Sequence, residues 1–388
     1  MIVAFTKDWD DVPTCTTHVL REMAKTIPVL WVNSIGTRKP DLAHPGHAGR
    51  VLQRALRGIR PAIHKENQLR VLSPLLIPKA QSVWAIRLNR RLMAAYIRRE
   101  QRGWMGEGAI EYWCFVPNAV DLLPPPTDHR SPITDHFVIY YCVDDWGKFC
   151  NLDTAWLESK ERRLLERADV VFTPARYLEE KCRAMAGDRV HYVPHGVEYR
   201  KFRAALEGTV PIPADVAAFP HPLVGFYGNI YPWIDFALIE KLALARPDWT
   251  FVLIGQVFCD VSGLEHVPNV HLLGRREHDE LPGYCRAFDA AIIPYDLENP
   301  RMESVNPVKT RELLAAGVPV VAARIPELQG FGDHMRTCRS ADEWICALEG
   351  QCARTDGDAI SRSVADDDWT VRVRSIREVV AGMADRKR

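Results

Sequence analysis

The ten cysteines form no Cys-x-x-Cys pair and follow no regular spacing. That leaves out zinc-ribbon and dithiol chemistry, and the disulfide frameworks of small secreted domains. Cys114 and Cys142 sit inside apolar runs, where a small reduced thiol is the expected occupant. No apolar run is long enough to span a bilayer. The chain starts with a short apolar stretch followed by Asp8, Asp10 and Asp11, without the basic start and long apolar core of a signal peptide. A cytoplasmic protein with reduced thiols is the expectation. Internal repeats and low-complexity tracts are absent, and no His/Cys/Asp cluster has metal-ligand spacing. Net charge is zero, so the bulk balance points to no polyanion partner.

Charge is concentrated locally instead. Residues 50–102 hold 13 Lys/Arg and 2 Asp/Glu, a balance of +11 that the rest of the chain offsets. Over 50–60, Val51, Leu52, Ala55, Leu56 and Ile59 fall on one helical face, with Arg50, Arg54, Arg57 and Arg60 opposite. Residues 84–99 repeat the pattern more loosely, setting Arg87, Arg90, Arg91 and Arg98 against Leu88, Leu92, Met93 and Tyr96. Basic amphipathic helices fit an anionic membrane surface; a core helix with a solvated face is the plainer reading, and the one favoured for the apolar side of 84–99. Nucleic acid is disfavoured, because the segment lacks aromatic interleaving and any binding motif.

Apolar strand-like runs alternate with helical ones throughout. In the first half they fall at 2–6, 28–33, 69–73, 110–116, 137–143, 170–173 and 190–193, with helical patterns at 14–26, 84–99, 154–167 and 176–186. The pattern restarts at 223–227, 251–255, 270–273, 290–294 and 319–322. This reads as α/β, two doubly wound Rossmann-like domains in tandem facing a cleft. The expected boundaries are a domain over 1–195, a linker over 196–222 marked by Pro211, Pro213, Pro220 and Pro222, a domain over 223–363, and a last helical segment over 364–388.

The most informative segment is 306–321. Asn306 suits an N-cap and Pro307 the first helical position. Gly317 stops the helix, and Pro319-Val320-Val321 opens a buried strand. Lys309 and Glu312, three apart, share the face of the first turn. A cation, a carboxylate and free backbone N–H groups at a helix N-terminus suit a nucleotide diphosphate beside its ribose. Strand 223–227 ends in Gly228-Asn229, where a glycine lets backbone approach a phosphate.

The run from Pro307 to Val321 resembles the donor-site helix of GT-B glycosyltransferases, P-x-K-x-x-E-x-L-A-x-G-x-P-V-V. It is most similar to bacterial exopolysaccharide and teichuronic-acid (TuaH-like) transferases, with GumK-like glucuronosyltransferases as more distant relatives. The resemblance implies an acceptor-binding first domain, a donor-binding second domain, and a last helix that crosses back to the first. It also implies that Glu312 takes the ribose, that Lys309 and Arg275 meet the diphosphate, and that Gly228, Asn229, Tyr295 and Asn306 line the donor site. No metal is obligatory. Two departures stand out. The cations that many retaining relatives carry after the glycine are replaced by Tyr231-Pro232-Trp233-Ile234-Asp235. The first carboxylate of the paired-glutamate motif falls on Ser304, with Glu303 one residue off. Stereochemistry stays open.

An inverting transfer needs a base for the acceptor hydroxyl. Asp144 and Asp145 follow the apolar run 137–143, where an open α/β domain places such a group. The GumK-like pattern puts its aspartate base on this loop, so Asp144 is the first candidate and Asp145 the second; one of them is expected to cap the next helix instead. The loop 7–17 is a further acceptor candidate, although its Asp8-Trp9-Asp10 reads better as a polar loop than as a metal site. His195-Gly196-Val197 reads as a hinge. The expected function is transfer of a sugar from a nucleotide-sugar to a lipid-linked or glycan acceptor. A nucleotide-sugar epimerase and a degenerate binding scaffold are the rivals.

Overall fold

The computed structural model describes residues 1–34, 62–77, 82–106, 108–125, 136–148 and 153–387. The basic helix expected over 50–60 lies outside the described residues. Two compact units divide the chain: Met1–Pro194 with Val373–Arg388, and His195–Arg372.

The first unit is built on an eight-stranded sheet in the order β3-β4-β2-β1-β5-β6-β7-β8. Its strands are β1 (Ile2–Phe5), β2 (Val29–Val32), β3 (Ile63–Glu66), β4 (Leu69–Leu72), β5 (Ile110–Cys114), β6 (His136–Tyr141), β7 (Val170–Thr173) and β8 (Val190–Tyr192). All pair in parallel except β3, which turns back on β4. Sequence reading missed β3 because Ile63-His64-Lys65-Glu66 is an exposed or half-exposed edge strand with no apolar alternation. Its two-residue turn places Asn67 at φ 45°, a left-handed conformation that asparagine tolerates. Strand order reverses between β1 and β5, so the ligand crevice of this sheet lies at their carboxyl ends.

Helices α1 (Cys15–Met23), α2 (Val83–Glu100), α3 (Thr154–Arg167) and α4 (Arg176–Ala186) accompany the sheet. Helix α2 departs from the expected faces. Ala85, Asn89, Met93 and Ile97, spaced by four, form its buried stripe. Leu88, expected inside, is 40% exposed beside Arg87 and Arg91, and Trp84 is 55% exposed. A polar residue occupies the core position because the Asn89 amide satisfies a loop: it accepts from the Ile77 N–H at 2.8 Å and donates to the Ile77 carbonyl at 2.9 Å.

The second unit holds a six-stranded all-parallel sheet, β11-β10-β9-β12-β13-β14. These strands are β9 (Leu223–Tyr227), β10 (Thr250–Ile254), β11 (Val270–Gly274), β12 (Ala290–Ile293), β13 (Val320–Ala323) and β14 (Met335–Cys338). The helices are α5 (Tyr199–Leu206), α6 (Phe236–Ala245), α7 (Leu281–Ala287), α8 (Val308–Ala315), α9 (Ala341–Cys352) and α10 (Gly357–Arg362). The last helix, α11 (Trp369–Lys387), starts in this unit, and its residues from Val373 belong to the first.

The stretch 196–222 belongs to the second unit rather than standing between the two. Proline density hid the amphipathic run that forms α5, whose Phe202 and Ala205 are buried. The proline-rich part is packed as well, since a Cβ on Gly283 of α7 would lie 2.5 Å from the Pro211 carbonyl. Burying Phe202 alone stabilises this arrangement by about 2 kcal/mol.

Strand order reverses between β9 and β12, which places this unit's crevice at their carboxyl ends. Helix α8 is fixed there by its own ends. Gly317 takes φ 76° just past the C-cap Ala316. The Gly317 N–H bonds the Leu314 carbonyl at 2.8 Å and the Val318 N–H bonds that of Leu313 at 3.0 Å. This paired stop needs glycine at its left-handed position. Leu313 and Leu314 are fully buried, as are Val320 and Val321 of β13.

Candidate donor and acceptor sites

At the β9–β12 reversal, three segments meet. Strand β9 ends at Tyr227, and Gly228 follows with φ 130°, a conformation that strains any residue with a Cβ. A Cβ there would lie 2.3 Å from Lys309 Nζ, so the ammonium rests against the Gly228 backbone. A Cβ on Gly255, after β10, would lie 1.9 Å from the Gly228 carbonyl oxygen. The floor of the site is thus backbone on backbone, with a lysine laid across it. Asn229 continues the loop, half-buried.

Lys309 enters from the first turn of α8. Its Nζ stands 4.3 Å from the Phe226 ring centroid and 5.6 Å from that of Tyr295, within reach of cation–π attraction. Desolvation lowers its pKa from 10.5 to about 8, against the opposing pull of Glu312. Helix α8 begins one residue later than expected. Pro307 is the N-cap, and no side chain caps the first-turn N–H groups. Asn306 is therefore not a cap: its Oδ1 accepts from Arg311 at 3.0 Å and its Nδ2 reaches Glu327 at 3.5 Å. The buried Arg311 guanidinium, also bonded to Asp367 at 2.7 Å, draws the amide away from the helix end.

Glu312 is buried and held at both oxygens. The Tyr227 hydroxyl donates to Oε2 at 3.0 Å, and His278 Nε2 lies 2.8 Å from Oε1. Burial, then the charge of Glu312, pushes the Tyr227 phenol well above its usual range. Tyr295 is buried at the end of β12, its backbone paired antiparallel with Ile234. Its phenol is likewise raised by burial. Arg275 stands apart. It follows β11, two strands from the reversal, is 53% exposed and pairs with Glu277 at 3.4 Å.

Sequence reading missed Tyr227 and His278. A tyrosine closing an otherwise apolar strand was a signal for the first. For His278, 34 residues before Glu312 and outside any motif, no signal existed.

In the first unit, Asp144 and Asp145 follow β6 as expected but diverge in environment. Asp145 is buried, and its Oδ1 accepts from Lys181 at 2.7 Å and from the Gly147 N–H at 3.3 Å. Lys148 lies 3.8 Å from Oδ2. Lys181 also bonds Glu161 at 3.0 Å. Although burial opposes its charge, Glu161 and Asp145 hold the Lys181 ammonium above its usual range. Asp145 is thus a paired carboxylate that closes the 146–148 turn, whereas the next α-helix, α3, is capped by Asp153. Asp144 is half-buried, and its charge reaches the start of α1. Burial, then Asp144, pushes the Cys15 thiol up to about 12. Lys7, just past β1, has its pKa lowered to about 8 by burial, against the pull of Asp11 and Cys15. The Asp8 carboxylate accepts from the Ser34 N–H at 2.9 Å, in keeping with a polar loop.

Residues 221–348 match the family model described as "Glycosyl transferases group 1". Over 204 residues the chain is 35% identical to a Bacillus subtilis (strain 168) protein named for teichuronic acid biosynthesis, the glycosyltransferase TuaH. The match covers 49% of this chain and 51% of that protein, so it spans about half the length of the curated relative. Among solved structures, sucrose-phosphate synthase from Thermosynechococcus elongatus superposes with a TM-score of 0.65 at 15% identity, covering 98% of both chains. Anabaena HepE in complex with UDP gives 0.62 at 15%, covering 98% of this chain and 100% of that one. Starch synthase IV from Arabidopsis thaliana, bound to ADP and acarbose, gives 0.63 at 12%, covering 99% of both. The fold is therefore GT-B, and residues 221–348 carry the match to glycosyl transferases group 1.

Proposed function

We propose that the chain transfers a sugar from a nucleotide-sugar to a lipid-linked or glycan acceptor in bacterial surface or exopolysaccharide biosynthesis. One observation carries the reading: the uncapped α8 N-terminus, Lys309 against Gly228, and the buried Glu312 carboxylate converge where β9 and β12 diverge. Backbone N–H groups and an ammonium suit the diphosphate, and a rigidly held carboxylate suits the ribose diol. Lys309 would neutralise charge on the departing nucleoside diphosphate, so the reading needs no metal. Arg275 is left to the rim, and Asn306 acts through Arg311. The UDP bound to HepE, a protein of the same fold, supports UDP as the first nucleotide to test.

Asp144 is the proposed base. It would take the acceptor hydroxyl proton as that oxygen attacks the anomeric carbon and the nucleoside diphosphate leaves, giving inversion. Asp145, committed to Lys181 and the 146–148 turn, would hold the loop in place. No described helix is long and apolar enough to cross a membrane. The exposed face of α2, with Trp84 and Leu88 beside Arg87 and Arg91, supports peripheral binding to an anionic cytoplasmic membrane surface, where a lipid-linked acceptor would reside.

The test is thermal stability against UDP, ADP, GDP and UDP-glucose, for the wild type and Glu312→Ala. A ligand at a hundred times its Kd stabilises the folded state by about 2.7 kcal/mol. One nucleotide should raise Tm in the wild type alone. No shift with any of them, in the presence or absence of anionic lipid, would overturn the donor reading.

A further inference from the structure

The arm that leaves Gly228 carries aromatic rings where many retaining GT-B enzymes carry cations. Tyr231 stacks on Trp233 with ring centroids 4.2 Å apart and planes 26° apart. On its other side it stacks on Phe258, at 4.7 Å and 13°. The Arg301 guanidinium lies 4.6 Å from the Trp233 ring centroid. Phe258, Tyr231, Trp233 and Arg301 therefore form one continuous stack, closed at the arginine end. Phe258 ends it at the other side and is 49% exposed. Val257 and Leu297 are 38% and 39% exposed.

A stack that served only the core would bury its terminal ring. This one instead holds a phenyl group at the surface, on a rigid base. Ile230 pairs in parallel with Val257. The Ile230 N–H bonds the Gln256 carbonyl at 2.9 Å, and the Phe258 N–H bonds the Ile230 carbonyl at 2.9 Å. The Asp235 N–H bonds the Pro294 carbonyl at 2.8 Å, and the Asp296 N–H bonds that of Trp233 at 2.9 Å. Both sides of the stack are thus clamped to the segments that follow β9, β10 and β12, with Tyr231 and Phe258 each three residues past a glycine, Gly228 and Gly255.

We propose that this stack is a pyranose-binding subsite whose open face is the ring of Phe258. A sugar in its chair form carries axial C–H bonds on one face, and these pack on an aromatic ring while the equatorial hydroxyls stay in water. A pre-stacked, clamped ring loses little conformational freedom on binding. The proposal deepens the glycosyltransferase reading and rests on it for the choice of a sugar over a planar ring such as a nucleobase. The pyranose belongs either to the nucleotide-sugar or to the acceptor.

Phe258→Ala removes a half-exposed side chain, and Phe258→Trp keeps a ring in place. Two measurements compare these variants with the wild type: saturation-transfer NMR with the methyl β-glycosides of glucose, galactose and glucuronic acid, and titration with UDP and with UDP-glucose. At least one glycoside should receive saturation, strongest at its axial ring protons. Phe258→Ala should lose that signal, Phe258→Trp should retain it, and UDP affinity should stay unchanged. A loss of about tenfold, or about 1.4 kcal/mol, for UDP-glucose and none for UDP would assign the ring to the donor. Loss confined to the free glycosides would assign it to the acceptor. Equal weakening of UDP and UDP-glucose, or no difference between wild type and Phe258→Ala with any sugar probe, would overturn the subsite. A wild type that binds no UDP would sink the donor reading alone, because the glycoside measurement stands without it.

Discussion

His278 Nε2 lies 2.8 Å from Oε1 of Glu312. Lys201 Nζ lies 2.9 Å from the other ring nitrogen. The same nitrogen, Nδ1, also lies 3.5 Å from the Glu198 carboxylate, so the ring is held on both sides. His278 thus fixes one Glu312 oxygen while Tyr227 fixes the other. His278→Ala should lower nucleotide affinity by about tenfold, or about 1.4 kcal/mol, by freeing the carboxylate. Lys201→Met should have a smaller effect, since Lys201 meets the ring on the side away from Glu312. Calorimetric titration with UDP checks both, and an unchanged affinity in His278→Ala would remove histidine from the site.

Lys309 makes the site sensitive to pH. Its folded value of about 8 lies below the ordinary 10.5, so folding favours the neutral amine. Between those values the unfolded chain binds more protons, and stability from this group rises with pH. Below about 8 its ammonium is present at a desolvation cost. Phosphate binding has the opposite slope, because it needs the charge. UDP affinity should therefore fall above pH of about 8, by at most about tenfold per unit. Lys309→Arg should flatten that profile, and a wild-type profile that is already flat would place the phosphate elsewhere.

The two glycines of the floor should respond differently. Gly255→Ala would drive a methyl group into the Gly228 carbonyl, a backbone atom with no room to move. A loss of roughly 2–4 kcal/mol in urea unfolding is expected. Gly228→Ala strains the φ of 130° by about 1–3 kcal/mol and displaces the Lys309 ammonium. It should abolish UDP binding while the protein still folds.

Asp144→Asn should leave UDP binding intact and cut sugar transfer by about a hundredfold or more, measured with any acceptor that supports turnover. Asp145→Asn should instead lower stability by about 1–3 kcal/mol, since it leaves Lys181 with Glu161 alone. If Asp145→Asn abolished transfer at full stability, the two assignments would exchange.

Reversing Arg87 and Arg91 to Glu, with Trp84→Ala, should weaken sedimentation with phosphatidylglycerol vesicles and leave UDP binding unchanged. Equal sedimentation of variant and wild type would leave α2 as an ordinary solvated helix.

The strands other than β3 and β14, and α8, were legible because buried parallel strands read as unbroken apolar runs and Gly317 marks the helix end; Met335-Arg336-Thr337-Cys338 of β14 is no such run. Lys309 and Glu312 were legible because one helical turn fixes their shared face. The partners of Glu312 were not, since Tyr227 and His278 reach it only through the sheet. Asn306 was misread because a cap preference is local, whereas its hydrogen bonds are set by Arg311, which in turn pairs with Asp367, 56 residues on. Helix α5 was hidden by prolines, and the buried face of α2 by the expectation that Leu88, rather than Asn89, would point inward.

The glycine floor also limits how such a site can diversify. Where Gly255 lies against the Gly228 carbonyl, there are no side chains to vary, so inheritance there is nearly all-or-none. Tyr231, Trp233 and Phe258 grow from the same loops and pack on one another instead. A lineage changing its sugar would be expected to rewrite those three positions first, and a saturation library built on them should yield altered sugar preference without loss of nucleotide binding.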